Sequence, residues 1–79
     1  MKTIEHIMRF HKKEIWTIAP GATVFEALRL MAEKDIGAMP VMDGMKLVGI
    51  FSERDYARKV SLKNKSSKKT PVSEIMSTN

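Results

Sequence analysis

The chain of 79 residues is long enough for one small domain, and 43% of its residues are hydrophobic, which is typical of a folded protein. A core of this size often gains stability by packing against a second copy. The lack of cysteine excludes disulfides and thiolate metal sites. No apolar run approaches the roughly 18–20 residues that cross a membrane, and the sequence shows no signal peptide, so we expect a cytoplasmic protein without membrane contact.

The net charge of +5 comes from one segment of the chain. Residues 58–69 hold six basic side chains and no acidic one, whereas the rest of the chain has eight basic residues against nine acidic ones. The positive charge is therefore local, which weakens the case for a whole surface that attracts nucleic acid.

The first predicted elements are a short strand at residues 15–18, ended by a Pro-Gly turn signal, and a helix that begins at Thr23. Thr23 and Glu26 fit a capping box, in which each side chain bonds the backbone amide of the other residue. Gly37 is expected to end this helix. Apolar residues at helical spacing give it one buried face, formed by Val24, Ala27, Leu28 and Met31.

A hairpin and a second helix follow. The apolar runs at residues 38–42 and 45–51 are joined by Asp43 and Gly44, a pair that favours a type I′ turn. The second helix is expected to begin at Ser52 and to carry an apolar face of Tyr56, Ala57 and Val60. The predicted order is β-α-β-β-α, an α+β fold.

We divide the chain into a folded unit at residues 1–60, a basic solvated linker at 61–70 and a last segment at 71–79. Residues 72–76, Val-Ser-Glu-Ile-Met, resemble residues 4–8, Ile-Glu-His-Ile-Met. We interpret the last segment as the incomplete start of a second copy of the unit. Two unrelated amphipathic segments are the alternative.

The stretch from Gly49 to Asp55 runs from an apolar strand into a helix start. Ser52 and Asp55 fit a capping box that requires no ligand. The same arrangement brings a hydroxyl, a carboxylate and unpaired amides to one point, which can hold the ribose and phosphates of a nucleotide. Gly49, which has no Cβ, permits the close approach of a ligand or of neighbouring backbone. The two interpretations are compatible, because a cap can exchange its partner for a ligand.

Four stretches in this order and spacing resemble the CBS domain, the family named after cystathionine β-synthase. The last of them matches the family's nucleotide motif: glycine, an apolar residue, any residue, serine or threonine, two residues and aspartate. The resemblance covers about residues 3–60 and is greatest to the first motif of small bacterial proteins that have two such motifs. The stretches are Ile18-Ala19-Pro20, Thr23-Val24-Phe25-Glu26-Ala27-Leu28, Ile36-Gly37-Ala38-Met39-Pro40-Val41 and Gly49-Ile50-Phe51-Ser52-Glu53-Arg54-Asp55.

The resemblance implies a small three-stranded sheet packed by two helices, which pairs with a second copy into a homodimer. It also implies a regulatory role, in which the clefts between paired motifs bind AMP, ADP, ATP, NAD or S-adenosylmethionine. By position, Asp55 would bond the ribose hydroxyls and Ser52 the phosphate or ribose. The expected lining of the adenine consists of Ile36, Gly37 and Ala38, with Ile50 and Trp16 near it.

Several features have plainer interpretations. Trp16 can be a core or interface residue rather than a stacking platform. His6 and His11 lack metal-ligand spacing, so we expect no metal. The sequence offers no catalytic constellation and no Walker-type loop, so we expect no enzymatic activity. Two alternatives to a ligand sensor stay open: a purely structural dimerisation module, whose junction residues are only caps, and the less favoured nucleic-acid binding through residues 58–69.

Overall fold

The computed structural model describes residues 16–78, so the predictions for residues 4–8, His6, His11 and Ile15 lie outside the described residues. None of the helices within residues 16–78 is long and apolar enough to span a bilayer. The mixture of helices with an antiparallel sheet confirms the α+β fold class. In chain order the elements are α1 (Val24–Lys34), β1 (Ala38–Asp43), β2 (Lys46–Ser52), α2 (Glu53–Tyr56) continued by a π turn (Ala57–Ser61), and a 3₁₀ turn (Val72–Glu74).

Helix α1 begins where its capping box predicts. The Thr23 hydroxyl oxygen accepts from the Glu26 amide at 3.1 Å, and the Glu26 carboxylate accepts from the Thr23 amide at 3.0 Å. The prediction that Gly37 ends the helix is wrong, because α1 ends at Lys34 and is capped by Asp35. Asp35 adopts a left-handed φ of 54° and donates its amide to the Met31 carbonyl. The short polar side chain of aspartate tolerates this conformation better than most, so no glycine is needed.

The hairpin forms as predicted, but its turn is shifted by one residue. Asp43 pairs with Lys46, so the two turn residues are Gly44 and Met45 rather than Asp43 and Gly44. Only Gly44 of this pair has a positive φ, 64°. This pattern is that of a type II′ turn, which requires glycine at its first central position, and the predicted type I′ turn is wrong.

The strand predicted at residues 15–18 contributes one parallel bridge, between Ile18 and Val41, within the described part of the chain. The Ile18 amide donates to the Pro40 carbonyl at 3.1 Å, and the Met42 amide donates to the Ile18 carbonyl at 2.9 Å. The regular sheet over residues 16–78 therefore has two strands, and Ile18 adds a third at a single position.

The C-terminal residues share one core with the helices and the hairpin. The amides of Val24 and Phe25 donate to the carbonyls of Thr70 and Ser67, at 2.9 and 2.8 Å. These carbonyls satisfy amides that the first helical turn leaves free. The division at residues 61–70 and the second copy at 71–79 stay predictions. The buried apolar side chains are Val24, Ala27, Met31, Met39, Val41, Phe51, Val60, Val72 and Ile75.

Candidate functional site

Ser52 and Asp55 build the junction between β2 and α2. Ser52 ends the strand with an extended backbone (φ −136°, ψ 164°). Its Oγ accepts from the Asp55 amide at 3.1 Å, while its own amide donates to Asp55 Oδ2 at 3.1 Å. The capping box is complete, and the predicted helix start is confirmed.

Asp55 is 5% exposed, and four hydrogen-bond donors surround its carboxylate. Oδ2 accepts from the amide and from the hydroxyl of Ser52, at 3.1 and 2.9 Å. Oδ1 accepts from the Ser77 hydroxyl at 2.9 Å and from the Lys59 ammonium at 3.1 Å. A carboxylate has about four acceptor positions, so donors from the chain itself fill all of those of Asp55.

The environment of Asp55 keeps its carboxylate ionised at neutral pH. Burial by itself would raise the pKa of Asp55, because a low-dielectric environment disfavours the charged form. The hydrogen bonds from Lys59, Ser52 and Ser77, together with the positive charge of Lys59, outweigh burial and hold the pKa below its ordinary value. The Asp55 carboxylate is therefore charged, and the Lys59 ammonium compensates its charge.

The segment before β1 lies beside this junction. Ala38 is opposite Ser52 in the hairpin register, and the Gly37 carbonyl accepts from the Glu53 amide at 3.0 Å. Ile36 packs against the core. The structure thus places two of the three residues predicted to line an adenine, Gly37 and Ala38, next to the predicted ribose-binding pair. Their binding roles stay predictions.

The first turn of α2 offers fewer free amides than the sequence implies. The amides of Glu53 and Asp55 already donate, to the Gly37 carbonyl and to Ser52 Oγ. The Glu53 carboxylate also lies over Gly37, since a methyl group on Gly37 would be 3.2 Å from Oε1. A phosphate at this point would meet occupied donors and a like charge, so the junction suits the hydroxyl groups of a ribose better.

Ile50 and Trp16 have different surroundings. Ile50 is half-buried and forms an antiparallel bridge with Ser77, through two hydrogen bonds of 2.8 Å. Trp16 is 39% exposed, and the Lys34 ammonium lies 4.1 Å from the centre of its ring, a cation–π contact. The hydrogen bonds of the junction do not involve Trp16, and its predicted role near an adenine stays a prediction.

Sequence reasoning missed Ser77 and Lys59. Lys59 follows Asp55 by four residues, a spacing at which helical side chains meet, but its place in the basic run at residues 58–69 masks this pairing. Ser77 has no local signal, because it lies 22 residues from Asp55 along the chain. The close approach predicted at Gly49 is real, and the neighbour is the C-terminal segment: a methyl group there would lie 2.7 Å from Met76 Sδ.

The fold defines a compact α+β unit with a carboxylate at a strand-to-helix junction, and comparison with known proteins identifies its family. The sequence pattern of the CBS domain matches residues 4–62, most of the chain. The chain therefore belongs to the CBS domain family, as predicted. CBS domain proteins generally act as regulatory modules.

Similar proteins come from curated sequences and from solved structures. The CBS domain-containing protein YhcV of Bacillus subtilis is 37% identical over 65 residues, which cover 82% of this chain and 46% of YhcV. A solved structure of a protein with CBS domains from Burkholderia ambifaria is 52% identical to this chain, with a TM-score of 0.80, and the match covers 82% of this chain and 48% of that one. The CBS domain structure NE2398 covers all of this chain and 62% of its own, with 43% identity and a TM-score of 0.81.

The chain spans less than half the length of the curated relatives that it matches. One of them is a large enzyme, the inosine-5′-monophosphate dehydrogenase of Korarchaeum cryptofilum, and the match covers 11% of it. The similarity is therefore to a CBS region within that enzyme.

Proposed function

We propose that this chain is a regulatory module that binds an adenine nucleotide or adenosyl compound, of the AMP, ADP, ATP, NAD or S-adenosylmethionine class, and works through paired CBS motifs. The observation that carries the proposal is the Asp55 carboxylate, which is ionised and nearly buried at the junction where the family's nucleotide motif falls. The role is binding and regulation, without catalysis of a reaction.

The chemistry of the junction fits a vicinal diol. A carboxylate can accept from both hydroxyls of a ribose, and charge-assisted hydrogen bonds of this kind are among the strong ones. Oδ2 belongs to the helix cap through Ser52, so Oδ1 is the oxygen that a ribose would engage. The adenine would then lie along Ile36, Gly37 and Ala38. Ala38 is the residue that pairs with Ser52 in the hairpin.

Pairing of two motifs would provide the second wall of the cleft and the regulatory output. Apolar side chains exposed on the single chain include Leu62, at 79%, and Phe25, at 42%. A CBS-CP12 protein from cyanobacteria, 33% identical with a TM-score of 0.73, is hexameric, which shows that relatives assemble. A ligand that binds one arrangement of the pair more tightly would shift the population toward it.

Titration calorimetry with AMP, ATP, NAD and S-adenosylmethionine tests the proposal on the chain and on two matched variants. Asp55→Asn keeps a capping side chain but removes the charge, and we expect it to weaken binding at least about tenfold. Asp43→Asn changes an exposed aspartate at the end of β1 and should bind like the unchanged chain. If no compound binds, or if both variants bind equally well, the proposed function is wrong.

A purely structural dimerisation module is the second candidate, and the filled acceptor positions of Asp55 favour it. In that case Ser52 and Asp55 are caps, thermal stability rises with protein concentration, and none of the four compounds changes it. Nucleic-acid binding through residues 58–69 is the third, and it predicts an affinity that falls steeply with salt. The ion pair of Lys59 with Asp55 removes one cation from that segment's free charge.

A further inference from the structure

The C-terminal residues 75–78, here named the strap, lie directly on the candidate site. The Ser77 amide and carbonyl pair with the carbonyl and amide of Ile50, each bond 2.8 Å long. The buried Ile75 side chain anchors the start of the strap in the core. Gly49 makes room for it, since a methyl group on Gly49 would lie 3.0 Å from the Ser77 carbonyl oxygen.

The strap also occupies the acceptor that the proposed ligand requires. Asp55 Oδ1 accepts from the Ser77 hydroxyl at 2.9 Å and from Lys59 at 3.1 Å, and Oδ2 is held by the helix cap. A ribose cannot engage Oδ1 fully while both donors remain. The Ser77 hydroxyl is the donor released at the lowest cost, because Ser77 is exposed and its hydroxyl is neutral, whereas the Lys59 ammonium is charged.

We propose that the strap is a gate on the candidate site, so that a ribose and the Ser77 hydroxyl compete for Asp55 Oδ1 and ligand binding releases the strap from β2. The inference rests on the proposed function and adds its regulation. Occupancy of the site would then be read out as release of the strap from its pairing with Ile50.

Lys59 links the strap to the hydrogen bonding of Asp55. Its ammonium donates to the Ile75 carbonyl at 3.0 Å and to Asp55 Oδ1 at 3.1 Å, so a single side chain joins the strap to the site. A ligand that changes the hydrogen bonding of Asp55 therefore disturbs the hold of Lys59 on Ile75 as well. The strap and the Lys59–Ile75 hydrogen bond that holds it would respond together, so the ligand would favour the released strap over the paired one.

Binding and amide exchange on the whole chain test the gate. Ser77→Ala removes the competing hydroxyl, and we expect it to bind AMP, ATP, NAD or S-adenosylmethionine about tenfold more tightly than the unchanged chain. Ser73→Ala is the matched control. Ser73 is exposed in the 3₁₀ turn just before the strap, and its side chain makes no hydrogen bond to another described residue. It should bind like the unchanged chain.

Amide hydrogen exchange of the unchanged chain locates the movement. A saturating nucleotide should speed exchange of the Ile50 and Ser77 amides, which hold the strap to β2. Exchange of the Val72 amide, which donates to the Ala22 carbonyl at 2.8 Å, should not change. This amide therefore distinguishes release of the strap from loosening of all the residues from 72 to 78.

The outcomes separate the two proposals. If a nucleotide binds only to Ser77→Ala, or binds to it more tightly while exchange at Ile50 and Ser77 speeds up, the gate is supported. If a nucleotide binds the unchanged chain but Ser77→Ala binds no better, or if those two amides do not exchange faster, the gate is overturned and the proposed function stands. If neither protein binds any of the four compounds, the proposed function fails and the gate fails with it.

Discussion

Replacement of Gly49 by alanine should detach the strap and destabilise the fold. The added methyl group would lie 2.7 Å from Met76 Sδ, 2.9 Å from Met76 Cγ and 3.0 Å from the Ser77 carbonyl oxygen. The methionine side chain can rotate away, but the Ser77 carbonyl is backbone that pairs with Ile50. Relief of the contact therefore requires a shift of the strap away from β2.

The size of the effect follows from this close packing. Forcing an extra methyl group into a well-packed site costs typically about 1–3 kcal/mol. For a chain of this length each kcal/mol lowers Tm by about 4–8 °C, so Gly49→Ala should lower Tm by roughly 5–20 °C. No left-handed φ contributes to this loss, because Gly49 does not adopt one.

Urea unfolding of Gly49→Ala and Gly21→Ala provides the measurement and its control. Gly21 has no atom within 4 Å of a new methyl group and no left-handed φ, so its substitution should be neutral or stabilising by up to about 1 kcal/mol. Met76→Ala removes two of the three close contacts at Gly49, so it should cost less in the Gly49→Ala background than alone. Equal midpoints for the two glycine variants would refute the reasoning.

Three further outcomes are expected. The pKa of Asp55 is lowered in the folded chain, so its stabilising contribution is present above the unfolded pKa of about 3.9 and is lost as pH falls through the folded pKa. On acidification, the urea midpoint of the unchanged chain should therefore fall more steeply than that of Asp55→Asn. Parallel curves of midpoint against pH would contradict this. Thr23→Ala should lower the free energy of unfolding by about 1 kcal/mol through loss of the α1 cap, as measured by urea denaturation, and no change would contradict the cap. Lys59→Met should speed amide exchange at Ser77, because it removes the hydrogen bond from Lys59 to the Ile75 carbonyl. Lys63→Met, which changes an exposed lysine of the same basic segment, should leave that exchange unchanged. Equal exchange rates in the two variants would show that Lys59 does not hold the strap.

The features that the sequence predicts well are encoded within a few consecutive residues. Both capping boxes are confirmed, because the hydroxyl and the carboxylate of each lie three residues apart and meet as soon as the first turn forms. The hairpin is confirmed for the same reason, but its register depends on pairing along both strands. That pairing places Gly44 first in the turn, and the local preference of an Asp-Gly pair does not decide it.

The features that could not be predicted depend on tertiary contacts. Ser77 reaches Asp55 only because Val72 and Ile75 are buried in the core, which fixes the path of the strap across β2. Periodicity marks neither residue, since the segment is too short to show it. The likeness of residues 72–76 to residues 4–8 predicts the start of a second unit, and it predicts no contact with the first unit.

The contacts that stabilise the junction also set the requirement for its ligand. Asp55 would lose up to two donors at Oδ1 when a ligand binds, and a buried carboxylate left without partners is strongly destabilising. A ligand must therefore replace the donors that leave Oδ1, and a vicinal diol offers two hydroxyl donors where a single alcohol offers one. The filled acceptors thus favour a ribose over simpler alcohols, and they allow a stable empty site. A regulatory module needs both properties, because its two states must lie within a few kcal/mol of each other.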